Sequence, residues 1–333
     1  MTTPAKRSMP LGARVAWATT IVVASHVAVP GVARAASFPE KPMRLIVPFP
    51  PAGAADIMAR IVTQKLGENL QQPVVVENRT GAGTVIGTEV FLKSSPDGYT
   101  MFLHAPPTAI NETLVKKLPY DARKDLVPVV TLGTVPLIIL VNPSTAANTV
   151  QELVAASKRK PGGLTYASSG NGGSPHLATE LLRKYTGMNL VHVPYQGSAP
   201  AVTAILGGHV DFTITSSFPK QQIETGKVRA VAVTGARRWL LLPDTPTVAE
   251  QGYPKFEAST WQGISVPRGT PRNVIDVINR EVIKVLRSPD IASRIGAQGF
   301  EVIADTPEQA ARFLASEIAK WGEAVQFSGA KPE

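Results

Sequence analysis

Residues 47–60 read VPFPPAGAADIMAR and mark a strand handing over to a helix. The apolar run Met43–Val47 has β character and ends at Pro48. Pro50 and Pro51 stiffen the exit, and Gly53, Ala54 and Ala55 restart the chain with minimal side chains. Ile57, Ile61, Val62 and Leu66 then share one face of a helix. No lysine or arginine stands in the turn, so what it offers a ligand is backbone. A helix start leaves amide N–H groups without intrahelical partners, and the macrodipole adds about half a positive charge there. Small side chains let a carboxylate or phosphate approach such an end. Asp56 falls in the first turn, where its carboxylate can bond free amides and hold the loop.

A second stretch repeats the arrangement. Residues 166–177, YASSGNGGSPHL, carry a short strand (164–167) into a Gly/Ser/Asn loop and then a helix. Ser174 followed by Pro175 predicts an N-cap with proline at the first helical position. The capping box is incomplete, because Leu177 stands where Glu or Gln is needed. Ser168, Ser169, Asn171 and Ser174 add hydroxyl and amide donors. Two such loops, one from each of two lobes, are suited to grip a small anion beyond the carboxyl ends of strands.

Working outward, strand-like runs recur at 74–77, 100–103, 127–131, 137–141, 164–167, 190–193, 210–215, 230–234 and 263–266, with helical patterns between many of them. This alternation predicts an α/β protein of layered sheets with helices on both faces. The runs 137–141 and 261–266 are the candidate crossings between lobes. They divide the chain into a discontinuous first lobe, residues 36–137 plus 262–333, and a second lobe, residues 138–261.

At the N-terminus, Lys6, Arg7 and Arg14 precede an apolar stretch from 15 to 29, and Ala33-Arg34-Ala35 supplies a cleavage pattern. Residues 1–35 therefore read as a secretory signal peptide rather than a membrane anchor. Removing it takes four of the 34 basic residues and none of the 25 acidic ones, so the net charge falls from +9 to +5. No dense basic stripe interleaves with aromatics, which argues against nucleic-acid binding. The absence of cysteine excludes a disulfide scaffold, thiolate metal sites and a cysteine nucleophile.

Several rival signals are weaker. Gly81-Ala82-Gly83, with Gly87 beyond, is spaced one residue too long for a dinucleotide fingerprint and reads as a close-packed loop and helix start. Ser157–Lys160 and Ser217–Lys220 match Ser-x-x-Lys without companion motifs. No histidine pair has helical metal-ligand spacing, and neither a metal nor a cofactor is expected. His176 falls where it can order a first helical turn, and His192 reads as a packed or surface strand residue. His104 is the histidine expected near the pocket, where an anion would favour its charged form.

From residue 38 to residue 320 the chain resembles the Bug-type solute-binding receptors of the tripartite tricarboxylate transporter family. The resemblance rests on FPEKPMRLIVPFPP (38–51), VVVENRTGAGTVIGT (74–88), SPDGYT (95–100), LPYDARKDLVPV (118–129), YASSGNGGSPHLA (166–178), VPYQGSAPA (193–201), LGGHVD (206–211) and LPDTPTVAEQG (242–252). It implies a periplasmic, two-lobed binding protein of the Venus-flytrap type, a monomer and not an enzyme, that closes on a small carboxylate for uptake or sensing. The implied partners are transporter membrane components or a sensor kinase. The implied ligand positions are Phe49, Pro51, Gly53 and Asp56 on one side and Ser168, Gly170, Asn171, Gly172 and Ser174 opposite, with Tyr195 as a pocket wall. The chain departs from the pattern at Ala52, where a second glycine is usual, and at LHAPPT (103–108), which brings His104 towards the pocket. TITSSFPK (213–220), with Thr215, carries hydroxyls where many relatives have an acid, which favours an organic acid over an amino acid. The alternative class is a secreted hydrolase or isomerase using Asp56 or His104 as base.

Overall fold

The computed structural model describes residues 1–2 and 38–332, so the expected signal peptide lies, but for its first two residues, outside the described residues. Strand β1 (Met43–Val47) leads through the opening turn into α1 (Ala54–Leu70), and β2 (Val74–Asn78) returns parallel to β1. A single 3-10 turn (Ala82–Thr84) and α2 (Val85–Leu92) precede β3 (Thr100–His104), α3 (Pro106–Leu114) and α4 (Ala122–Asp125). β4 (Leu126–Pro136) is followed after one residue by β5 (Ile138–Val141), which belongs to a different sheet. Then come α5 (Val150–Arg159), β6 (Leu164–Ser168), α6 (Ser174–Thr186), β7 (Leu190–Pro194) and α7 (Ser198–Leu206). β8 (Phe212–Thr215), α8 (Lys220–Glu224) and β9 (Arg229–Val233) complete that segment. β10 (Ser259–Pro267) returns to the first sheet, and α9 (Arg272–Arg287), α10 (Pro289–Ala297), β11 (Glu301–Val302) and α11 (Pro307–Ser328) follow.

The first sheet has the order β11-β4-β10-β3-β1-β2 and the second β7-β6-β8-β5-β9. In each, parallel strands (β2-β1-β3 and β7-β6-β8) sit beside antiparallel ones. The parallel strands β1 and β3 are apolar because helices cover them: α1 packs with α9 and α10, and α3 with α11. β4 and β10 run well beyond the expected 127–131 and 263–266, pairing from Ser259–Pro136 to Pro267–Leu126 with two irregularities. Gly133, Pro128 and Gly263 weaken the local β signal; the long antiparallel partner restores it. The segment 103–108 is the end of β3 and the start of α3, with proline in the first turn where its missing N–H costs nothing.

Two features knit the sheets together. Buried Thr234, just past β9, accepts from Leu137 N–H on its hydroxyl (2.8 Å) and donates its own N–H to Leu137 O (2.9 Å). Its carbonyl accepts from Ala258 N–H (2.9 Å) and its hydroxyl reaches Ala258 O, so one residue ties both crossing segments. The 22-residue α11 opens with a full capping box between Thr306 and Gln309 and packs on α3 and β4 as well as on α6. Glu317 on its buried face accepts from Trp261 Nε1 (2.6 Å) and Trp321 Nε1 (2.8 Å).

Candidate functional site

At the end of β1 the chain is held from within. Ala52 takes a left-handed φ of 63°, a conformation that glycine adopts without strain. Its N–H donates to Asp56 (2.9 Å), as does Arg60 Nε (2.8 Å), and Asn78 Nδ2 donates both to Asp56 Oδ1 (2.9 Å) and to Phe49 O (3.0 Å). The Arg60 hydrogen bond, with those of Asn78 and Ala52, outweighs the cost of burial and holds the Asp56 carboxyl at about 2. Asp56 is thus an ionised clamp behind the loop. Gly53 is the N-cap of α1 and has no side chain to cap it; the first intrahelical bond runs from Ile57 N–H to Gly53 O. The amides of Ala54, Ala55 and Asp56 have no intrahelical acceptor. Pro51 and Gly53 are exposed and Phe49 is partly buried.

The β6–α6 loop is built the same way with different holders. The N-cap of α6 is Gly173, not Ser174: Leu177 N–H donates to Gly173 O (3.0 Å), and Ser174 and Pro175 are the first two helical residues. Proline fits either of the first two positions, and the extended Gly173 (φ −71°, ψ 160°) takes the cap. Without a capping side chain, the helix start again presents bare amides. Gly170 (φ 134°) and Gly172 (φ 73°) turn the chain in regions closed to most residues. Ser168 is fully buried, with Oγ 2.7 Å from His192 Nε2, and Gly172 N–H donates to His176 Nδ1 (3.0 Å). Asn171 donates to Lys331 O (2.9 Å) in the C-terminal tail.

Ser168 ends β6; Tyr195 follows β7, its N–H donating to Ser168 O (3.0 Å); Thr215 ends β8, its hydroxyl accepting from Ser217 N–H (3.1 Å). The sheet therefore gathers them at the carboxyl ends of three adjacent parallel strands. Phe49 lies just past the end of β1 in the other sheet, and His104 ends neighbouring β3. His104 differs from expectation in its charge. It is buried on β3, with Nδ1 2.7 Å from Ser265 Oγ and its ring edge-on to Trp261, and Gly263 opposite leaves it room. Burial lowers its pKa to about 3, so the ring is neutral.

The two sheets meet beside the second loop. A Cβ on Gly172 would lie 2.7 Å from Leu114 Cδ2 at the end of α3. A cavity of about 670 Å3 is lined by Asn171, Gly172 and Gly173 on one side and by Ala82, Gly83 and α3 on the other. Phe49, Pro51 and Gly53 are not part of its wall. The Ala82–Thr84 turn, expected as a close-packed loop and helix start, lines this cavity. Its glycine cluster was the available signal, and its left-handed Ala82 (φ 45°) and Thr84 (φ 84°) are strained conformations of the kind found at binding loops. Asn111 of α3 holds the turn by donating to Gly83 O (2.8 Å).

Two mixed sheets of this kind, with loops gathered at strand ends, match the fold of periplasmic solute-binding proteins. The structure of the periplasmic binding protein BugD superposes with a TM-score of 0.71 at 32% identity, covering 89% of this chain and all of that one. Residues 58–329 match the model of the tripartite tricarboxylate transporter family receptor, and the chain belongs to that family. Protein BugT of Bordetella pertussis is 39% identical over 317 residues, spanning 93% of this chain and 97% of that protein. Rpa4515 of R. palustris, solved with adipate, has a TM-score of 0.75 at 32% identity over 89% of this chain and all of its own. MatC of Rhodopseudomonas palustris, solved with bound malate, has a TM-score of 0.71 at 28% identity over 86% of this chain and all of its own.

Proposed function

We propose that this receptor captures a small organic acid between two lobes in the periplasm and delivers it to membrane components of its transporter or to a sensor kinase. The carrying observation is the pair of helix starts, Gly53 before α1 and Gly173 before α6, each following a strand end and each without a capping side chain. Bare amides and the positive end of a helix dipole complement carboxylate oxygen. Relatives solved with adipate and malate support an organic acid as the ligand class. The lobes of this reading are residues 36–137 with 262–333, and 138–261, a division in keeping with the membership of the two sheets. On this reading Phe49, Pro51 and Gly53, which stand outside the wall of the cavity of about 670 Å3, come to face Gly170, Asn171 and Ser174, with Tyr195 and Thr215, when the lobes close on the acid. Ser168, Gly172 and Asp56 hold those loops in shape. Residues 1–35 serve as the export signal, and the mature chain works as a monomer.

The reading is non-enzymatic. Asp56 has three donors on its carboxylate and remains ionised, and His104 is buried against Ser265, so neither is poised to take a substrate proton. Isothermal titration of residues 36–333 against mono-, di- and tricarboxylates and amino acids is the test. Saturable one-to-one binding of an acid, with contraction in small-angle scattering, is expected. No binding across the acids, or consumption of the ligand, would overturn it.

A further inference from the structure

Two histidines, one on α6 and one on β7, hold the two ends of the second loop. His176, the third residue of α6, and His192, in the middle of β7, stack at 4.0 Å between centroids and 7° between planes. Tyr166 of β6 continues the stack on His192 at 4.8 Å. Each imidazole gives one nitrogen to the loop: His176 Nδ1 accepts from Gly172 N–H, and His192 Nε2 is bonded to Ser168 Oγ. Between those two points the chain is Ser169-Gly170-Asn171, flexible unless its ends are fixed.

The bond to Gly172 needs an unprotonated Nδ1, hence a neutral ring carrying its proton on Nε2. The surroundings enforce that state. Burial of the His176 ring disfavours its charged form most, and the second imidazole 4.0 Å away and Arg183 on the same helix add to that. Glu180 offers no compensation, because Tyr166 OH donates to it (2.7 Å) and Arg183 pairs with it at 2.6 Å. A cavity of about 340 Å3 beside the stack is lined by both histidines with Glu180, Arg183 and Lys331 of the C-terminal tail.

We propose that His176 and His192 are positioning residues for ligand capture: a stacked imidazole pair, with the His176 ring neutral, that fixes Gly172 and Ser168 so that the loop between them meets a carboxylate preformed. The proposal rests on the reading that this loop receives the ligand. Asparagine places an acceptor oxygen close to where His176 Nδ1 stands, whereas leucine fills the space without one, so His176→Asn and His176→Leu separate the hydrogen bond from packing. With malate and adipate as titrants, His176→Leu is expected to weaken binding at least tenfold and His176→Asn to stay within about threefold of the unaltered protein. 15N spectra should show His176 as the neutral Nε2–H form, and the Gly172 amide should lose order in His176→Leu but not in His176→Asn. Equal binding by all three proteins, equal weakening by both variants, or an Nδ1–H ring would overturn the proposal. If neither acid binds, the carboxylate reading is what fails; the ring tautomer and the Gly172 order, measured without ligand, still decide the histidine role. If His176→Leu does not fold, the tautomer and His176→Asn binding decide it.

Discussion

Asp56, His104 and His176 are titratable residues near the proposed cleft, and the structure gives each a fixed protonation state. Asp56 stays ionised because its partners solvate it; the two histidines stay neutral because burial removes the water a charged ring needs. Both histidines have pKa values lowered to about 3, against about 6.5 in an unfolded chain. Below pH 6.5 the unfolded chain therefore binds protons that the native protein refuses. The stability these rings contribute is complete above pH 6.5 and falls as pH drops towards 3, with a limiting slope of about 1.4 kcal/mol per pH unit for each ring. Urea unfolding at pH 7.5, 6.5 and 5.5, where ordinary carboxylates remain ionised, should show that decline. His176→Asn should decline less steeply, by up to one proton. A stability unchanged between pH 7.5 and 5.5 would contradict the assignment. The Asp56 contribution is lost only at lower pH, between about 4 and 2.

Helix α11 shows how one element serves both sheets. Its buried face carries Trp321 and Glu317, and the carboxylate collects the indole N–H of Trp321 from its own helix and of Trp261 from β10. Lys320 pairs with the same carboxylate and with Glu257. Farther along, Glu323 pairs with Lys184 of α6, and Arg183 lies over the Phe327 ring at 5.1 Å. Burial raises the pKa of Glu317, and the lysine and the indole donors oppose that rise. Removing the carboxylate leaves two indole donors without their acceptor and the buried Lys320 ammonium with Glu257 alone, which costs about 3–5 kcal/mol. Glu317→Ala should lower stability by about that amount in chemical denaturation, and Glu317→Gln, which keeps an acceptor, should lose less. A Glu317→Ala loss under about 1 kcal/mol would show that water replaces the carboxylate.

Across the molecule, opening and closing of the proposed lobes must bend the chain where it crosses between sheets. Thr234 sits at that place, bonded to Leu137 of one crossing and Ala258 of the other. Thr234→Val keeps the shape but leaves the Leu137 N–H without its buried acceptor, which costs about 1–3 kcal/mol. Its expected signature is a loss of stability in that range together with a wider spread of lobe orientations in small-angle scattering without ligand. Unchanged scattering and stability would mean that the crossings are held elsewhere. Much of this architecture could be read locally. The strand-turn-helix of residues 43–70 follows from apolar runs, proline and small residues, and the same logic identifies β6 and α6. The Asp56 clamp was also legible, because its acceptor lies within reach of its own loop. The full length of β10 was not legible, nor were the position of His104 under Trp261 and the stacking of His176 on His192. These depend on partners from 16 residues to more than a hundred residues away, and periodicity carries only the identity of near neighbours. Strand type, helix faces and backbone-only turns are properties of consecutive residues. Which nitrogen meets which amide, and which sheet each strand joins, is settled only when distant segments compete for the same buried space and hydrogen-bond partners.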